Sequence, residues 1–169
     1  MIDSSHGGVG RERRSQRGGS RITSMTIDEF LLIERAVRVS RPGLFRLAKP
    51  DPCASDVELA HVEQELGCKL PESYRQFLLR CGGGDYPLTS IFSAYRGGSW
   101  YIVKKRRELD ALLPTALLPM HDDNAGGLFV LKIEDGCALE PVYYYDWESK
   151  ELSGARHANI LEFVAMNFD

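Results

Sequence analysis

The stretch Ser55–Gly84, SDVELAHVEQELGCKLPESYRQFLLRCGGG, reads as two helices with marked ends. Ser55 and Glu58 stand three apart ahead of an apolar run, the spacing of a capping box in which each side chain satisfies a backbone N–H. Leu59, Val62 and Leu66 then recur at i, i+3 and i+7, one face of a 3.6-residue period, and Gly67 stops the run. Leu70 follows as an anchor, and Pro71 suits the opening of a second helix, where a missing N–H costs nothing. That helix carries Tyr74, Phe77, Leu78 and Cys81 on one side, with Glu72, Arg75 and Arg80 mostly outward. Gly82-Gly83-Gly84 ends it, since glycine takes left-handed backbone at little steric cost.

Upstream, Thr26 and Glu29 form another capping box, and Ile27, Phe30, Leu31, Ile33 and Val37 make an imperfect helical stripe that Arg41-Pro42-Gly43 closes. Lys49-Pro50-Asp51-Pro52 is a loop. Downstream the texture turns to β. Ser90–Tyr95 and Ser99–Val103 read as strands joined through Arg96-Gly97-Gly98, and Arg106–Leu113 as a short helix. Ala116–Met120, Gly127–Ile133 and Glu140–Trp147 are further strands, with Pro119 demoting the first to an edge and Asp135-Gly136 turning between the last two. Asn159 and Glu162 mark a closing helix whose face is Ile160, Phe163, Val164 and Phe168. Helices first, a meander next and one helix last predict an α+β fold. It is a single domain over residues 26–169, a mainly antiparallel sheet packed with N-terminal helices and a C-terminal helix.

Charge divides the chain. Its 169 residues carry a formal −3, and residues 1–25 hold five arginines against Asp3 and Glu12, a net +3, so residues 26–169 carry −6. The first 25 residues are rich in Gly, Ser and Arg and too poor in apolar side chains to offset ordering, which predicts a disordered basic tail or a leader ahead of a start at Met25. The acidic remainder argues against direct nucleic-acid binding. No apolar run approaches the roughly 18 residues of a membrane span. Cys53, Cys68, Cys81 and Cys137 include no C-x-x-C pair, so no zinc site is expected. With no secretory h-region, the expected place is the cytoplasm, with reduced thiols.

Residues 55–84 resemble the SUKH superfamily, which includes bacterial immunity proteins and yeast cell-wall-assembly regulators. Glu63, Leu66-Gly67, Leu70-Pro71, Tyr74, Phe77-Leu78 and Gly83-Gly84 fill that pattern in order. Leu117-Leu118-Pro119-Met120 before the acidic loop Asp122–Gly127, the strand Pro141–Asp146 and Phe163 of the closing helix extend it over about residues 55–169. Gly82 stands where the family commonly has Asn, and Gly126-Gly127-Leu128 replaces a common Gly-Asp motif. The resemblance implies a non-enzymatic protein-binding domain.

The residues themselves offer one candidate for chemistry. His121-Asp122-Asp123-Asn124 could hold a metal or move a proton, whereas Asn124-Ala125-Gly126-Gly127 reads as turn chemistry between two strands. Neighbouring side chains on a strand point apart, which favours the turn, so no catalytic residue, metal or cofactor is expected. Gly82-Gly83-Gly84 lacks the Lys-Ser/Thr of a phosphate loop, and Lys104-Lys105-Arg106-Arg107 reads as solvated charge at a strand end. His157 lies in a polar stretch that offers nothing specific. Surface recognition remains. Asp85, Tyr86, Asp122, Asp123, Tyr144, Asp146, Trp147 and Glu148 mix carboxylates with aromatic rings near strand ends, which suits a protein interface that steers a basic partner. The SUKH resemblance implies that this surface serves an immunity protein neutralising a cognate toxin, such as a nuclease; the alternative it implies is a scaffold module that binds an endogenous protein.

Overall fold

The computed structural model describes residues 24–169, so the tail predicted for the first residues lies almost wholly outside the described part. Met25 is already held by the domain, because its carbonyl accepts from Asn159 Nδ2 at 2.7 Å. Helix α1 (Ile27–Ser40) opens on the expected capping box between Thr26 and Glu29. A 3-10 turn follows at Pro42–Phe45. Helix α2 (Asp56–Leu66) starts on the Ser55–Glu58 box and ends at Gly67 with φ +70°. Its Leu59 and Val62 are fully buried, while Leu66 is only partly so.

Helix α3 (Glu72–Cys81) has no cap from its own N-cap residue, Pro71. Glu140 supplies one from the sheet, accepting from the Ser73 backbone N–H at 3.1 Å and from its hydroxyl. A long-range carboxylate thus satisfies an orphan donor of the first turn. Glu63 ties the two helices together by accepting from Leu70 N at 3.0 Å and from Arg75 at 2.7 Å. Gly82, Gly83 and Gly84 all have positive φ, and they lead directly into β1 (Gly84–Tyr86), which pairs antiparallel with β2 (Thr89–Ile91).

Here the structure departs from the sequence reading. Residues 99–103 are not a strand. Ser93 bridges Tyr101 in parallel fashion through Ser93 N to Trp100 O (2.7 Å) and Ile102 N to Ser93 O (2.9 Å), and the chain then turns into α4 (Ile102–Glu108). Ile102 and Val103, β-branched and so strand-like in isolation, are both buried, which successive residues of a one-faced strand cannot be. The helix therefore lies ahead of the expected Arg106–Leu113. Its four cations sit on helical turns rather than at a strand end. Lys104 and Lys105 approach Glu108, Arg106 pairs with Asp110 at 2.9 Å, and Arg107 reaches Glu65 at 3.2 Å.

The main sheet is an antiparallel meander of β3 (Leu117–Asp122), β4 (Gly127–Glu134), β5 (Cys137–Asp146) and β6 (Glu151–His157). Pro119 does lie on the outer strand, next to a register shift. The strand β6 was not expected, because ELSGARH offers almost no apolar residue to reveal it. Helix α5 (Ile160–Met166) closes the chain, with Asn159 Oδ1 accepting from Glu162 N at 3.0 Å.

Both sheet faces carry buried side chains, although β6 itself is largely exposed. Leu118, Met120, Leu131 and Val142 join the large core beneath α1, α3 and α5, where Phe30, Phe77, Tyr86 and Phe168 form one aromatic group. Leu117, Leu128, Val130 and Tyr145 form a smaller cluster with Leu113 on the opposite face. Buried Tyr74 donates its hydroxyl to the Phe92 carbonyl at 2.6 Å, linking α3 to the segment after β2.

Candidate functional site

The β3–β4 loop and the β5–β6 turn meet at one end of the main sheet. Gly127 lies opposite Asp146, and Trp147 N donates to Gly126 O at 3.2 Å. This juxtaposition gathers Asp122, Asp123, Tyr144, Asp146, Trp147 and Glu148. Two of the expected residues are elsewhere. Asp85 and Tyr86 belong to the two-stranded sheet, where alternation sends them to opposite sides. Asp85 is exposed and accepts from the Trp100 indole N–H at 2.9 Å. Tyr86 is 4% exposed, packed on Phe30, Phe77 and Phe168, and is a core residue rather than an interface one.

Within the sheet end, the carboxylates have different tasks. Asp123 Oδ1 accepts from Ala125 N (2.7 Å) and Gly127 N (3.0 Å), and its Oδ2 accepts from the Tyr144 hydroxyl at 2.9 Å. Burial opposes its ionisation, but these donors together outweigh burial and hold its pKa below the ordinary carboxylate value. The same bond raises the Tyr144 hydroxyl, since phenolate would face the carboxylate. Asp123 is thus the organising residue of the loop. Gly127 makes room for this arrangement, because a Cβ there would lie 1.9 Å from the Tyr144 hydroxyl oxygen. Asp146 Oδ1 accepts from Glu148 N (2.9 Å) and Ser149 N (3.0 Å) and so shapes the β5–β6 turn. Asp122 folds its own Oδ1 back to Asn124 N at 2.8 Å, while Glu148 is exposed. Trp147 is partly buried against the smaller cluster and partly exposed.

His121 does not join these carboxylates in a metal-like set. Its Nδ1–H donates to the Ser90 carbonyl at 2.6 Å, and its ring packs against both Phe129 and Phe163, which also touch each other. Among the described residues no group of three or more His, Cys, Asp or Glu side chains is placed to hold a metal ion. The cysteines are all free, and burial pushes the Cys81 thiol up to about 12.

A second imidazole packs on the same two phenyl rings. His157, brought in by β6, packs edge-on to Phe163 at 5.4 Å and near Phe129. With Phe129, Tyr144, Arg156 and Met166, His157 lines a shallow depression of about 450 Å³ on the surface. The depression is not legible in the sequence, because β6, which brings Arg156 and His157 to it, carries almost no apolar residue. Burial lowers the pKa of both His121 and His157, in each case against weaker raising influences. The unfolded chain therefore takes up protons first, near pH ~6.5, so the stabilisation is full above that pH and is lost as pH falls below it. The urea midpoint should decline on acidification from about pH 7 to about pH 5, with both imidazole NMR titrations centred below ~6.5. Midpoints at or above that value would contradict the packing described.

Comparison with protein families places this geometry. The family model described as SMI1 / KNR4 family (SUKH-1) matches residues 53–169. The chain belongs to this family. The matched SUKH-1 region runs from just before α2 through α5 to residue 169 and contains the whole sheet end. Helix α1 lies outside the match yet contributes Phe30 to the SUKH-1 core. No curated protein matches the chain. Among the described residues no helix is long and apolar enough to cross a membrane.

Proposed function

We propose that this SUKH-1 domain is a non-enzymatic protein-binding module whose role is that of an immunity protein, neutralising a cognate toxin in the cytoplasm. The observation that carries the reading is the sheet end, where the β3–β4 loop and the β5–β6 turn bring Asp122, Asp123, Asp146 and Glu148 together with the partly exposed Trp147 on a domain of net −6. Carboxylates around an aromatic ring fit a basic partner, since long-range attraction speeds encounter and the desolvated ring resists dissociation. A nuclease fits this description, because its phosphate-binding cleft is cationic. A regulatory scaffold module that binds an endogenous protein is the alternative, and genomic neighbours distinguish the two.

The test uses the partner recovered by pull-down from the native host and then purified. Asp123 organises the loop, so charge reversal belongs at Asp122 and Glu148. Asp122→Lys with Glu148→Lys should slow association by roughly tenfold and flatten its salt dependence. Trp147→Ala should instead raise the dissociation rate roughly thirtyfold, the ~2 kcal/mol of an anchoring residue. Unchanged rates in both variants would remove this surface from consideration.

A further inference from the structure

From the course of the exposed apolar side chains, we infer that the partner-binding surface continues from the acidic loop across the sheet edge onto α1 and α5, and that it takes an apolar segment of the partner flanked by lysine or arginine. The inference rests on the protein-binding reading above and extends it to a new surface and a stated ligand chemistry.

Tyr144 is the junction. Its hydroxyl is bound by Asp123 of the acidic loop, while its ring meets Phe129 edge-on at 5.3 Å and lines the depression that ends at Met166. Met166 also borders a second depression, lined with Met25, Ile33, Glu162, Ala165 and Asp169. Ile33 in turn borders a third, which Leu32 and Glu29 complete. One apolar strip therefore runs from Tyr144 over Met166 to Leu32. Exposure along it is high, at 62% for Met166, 65% for Leu32 and 37% for Ile33. Adjoining exposed apolar side chains of this size mark recognition surfaces more often than isolated ones do.

The occupant follows from the rim. Glu29, Glu162 and Asp169 border the strip on α1, α5 and the chain end, and Asp123 stands at its other extremity. Among the described residues lining these depressions, Arg156 is the one cation. An acidic peptide would meet four carboxylates, whereas a segment with leucine-like side chains and adjacent cations would satisfy both floor and rim.

The experiment titrates the ¹⁵N-labelled full chain with a synthetic leucine–lysine peptide and follows backbone amides by NMR. Shifts should gather at Ile33, Tyr144, His157 and Met166. A serine–lysine peptide of equal charge should bind roughly tenfold more weakly, and a leucine–glutamate peptide should cause no shifts. Leu32→Ser with Met166→Ser, both at exposed positions, should keep the native amide spectrum and weaken the leucine–lysine peptide roughly tenfold. Unaltered affinity in that variant, shifts confined to Asp122–Gly127 and Trp147, or no binding would overturn the extension. The kinetic test at Asp122, Glu148 and Trp147 stands independently of those results. Concentration-dependent self-association abolished by the same two substitutions would assign the strip to a second copy and overturn the partner chemistry proposed.

Discussion

Gly82→Ala should destabilise the domain by about 3 kcal/mol, read as a lowered urea midpoint at unchanged slope. Gly82 caps α3 at φ +85°, where a Cβ is strained in any surroundings. Its surroundings are also closed, since a Cβ would fall 1.9 Å from the Asp51 carbonyl oxygen. Retreat of that loop is opposed by Asp51 N donating to Gly83 O and Ala54 N donating to Leu78 O, both at 2.9 Å. Gly67 provides the control. It has a similar φ of +70° with nothing within 4 Å of a built Cβ, so Gly67→Ala should show only the backbone cost of roughly 1 kcal/mol. Equal losses at the two glycines would sink the close-approach argument.

Phe77→Ala should cost about 3–5 kcal/mol, the range for deleting a buried aromatic ring and leaving a cavity. Phe77 is fully buried, edge-on to Phe30 at 5.7 Å and to Tyr86 at 5.4 Å. Its removal loosens the aromatic group that α1, α3 and β1 share, so the melting temperature should fall on the order of 10 °C. Val57→Ala on exposed α2 surface should change stability by less than ~0.5 kcal/mol. A small loss at Phe77 would mean that the aromatic group is not the common core of these elements.

The helices that frame this core are legible from local chemistry. Thr26 with Glu29, Ser55 with Glu58, and Asn159 ahead of Glu162 each act within one turn, so their spacing alone predicts where α1, α2 and α5 begin. The glycine run after Cys81 is legible for the same reason. Other elements are not local in origin. Residues 99–108 carry a strand-like Tyr-Ile-Val run, yet the clip between Ser93 and residues 100–102 and the burial of Ile102 and Val103 make the segment a helix. Strand β6 exists because β5 offers it a ladder, with Tyr143 opposite Ala155 and Tyr145 opposite Leu152, not because its own residues favour one.

The candidate site divides along the same line. Sequence by itself determined its ingredients: an acidic domain, carboxylates beside turn residues, and aromatic rings on a strand. It also determined the family pattern carried by Leu70-Pro71, Tyr74 and Gly83-Gly84. Only the tertiary structure decided which ingredients meet. Pairing of β4 with β5 brought Gly127 against Asp146 and Tyr144 onto Asp123, whereas alternation in β1 turned Tyr86 into the core and left Asp85 outside. Pairing of β5 with β6 set His157 beside Phe129 and Phe163. Caps and turns are settled by interactions within a few residues, so a linear reading reaches them. The facing of a strand side chain and the company it keeps depend on register against a partner distant in the chain, and register is a property of the folded sheet.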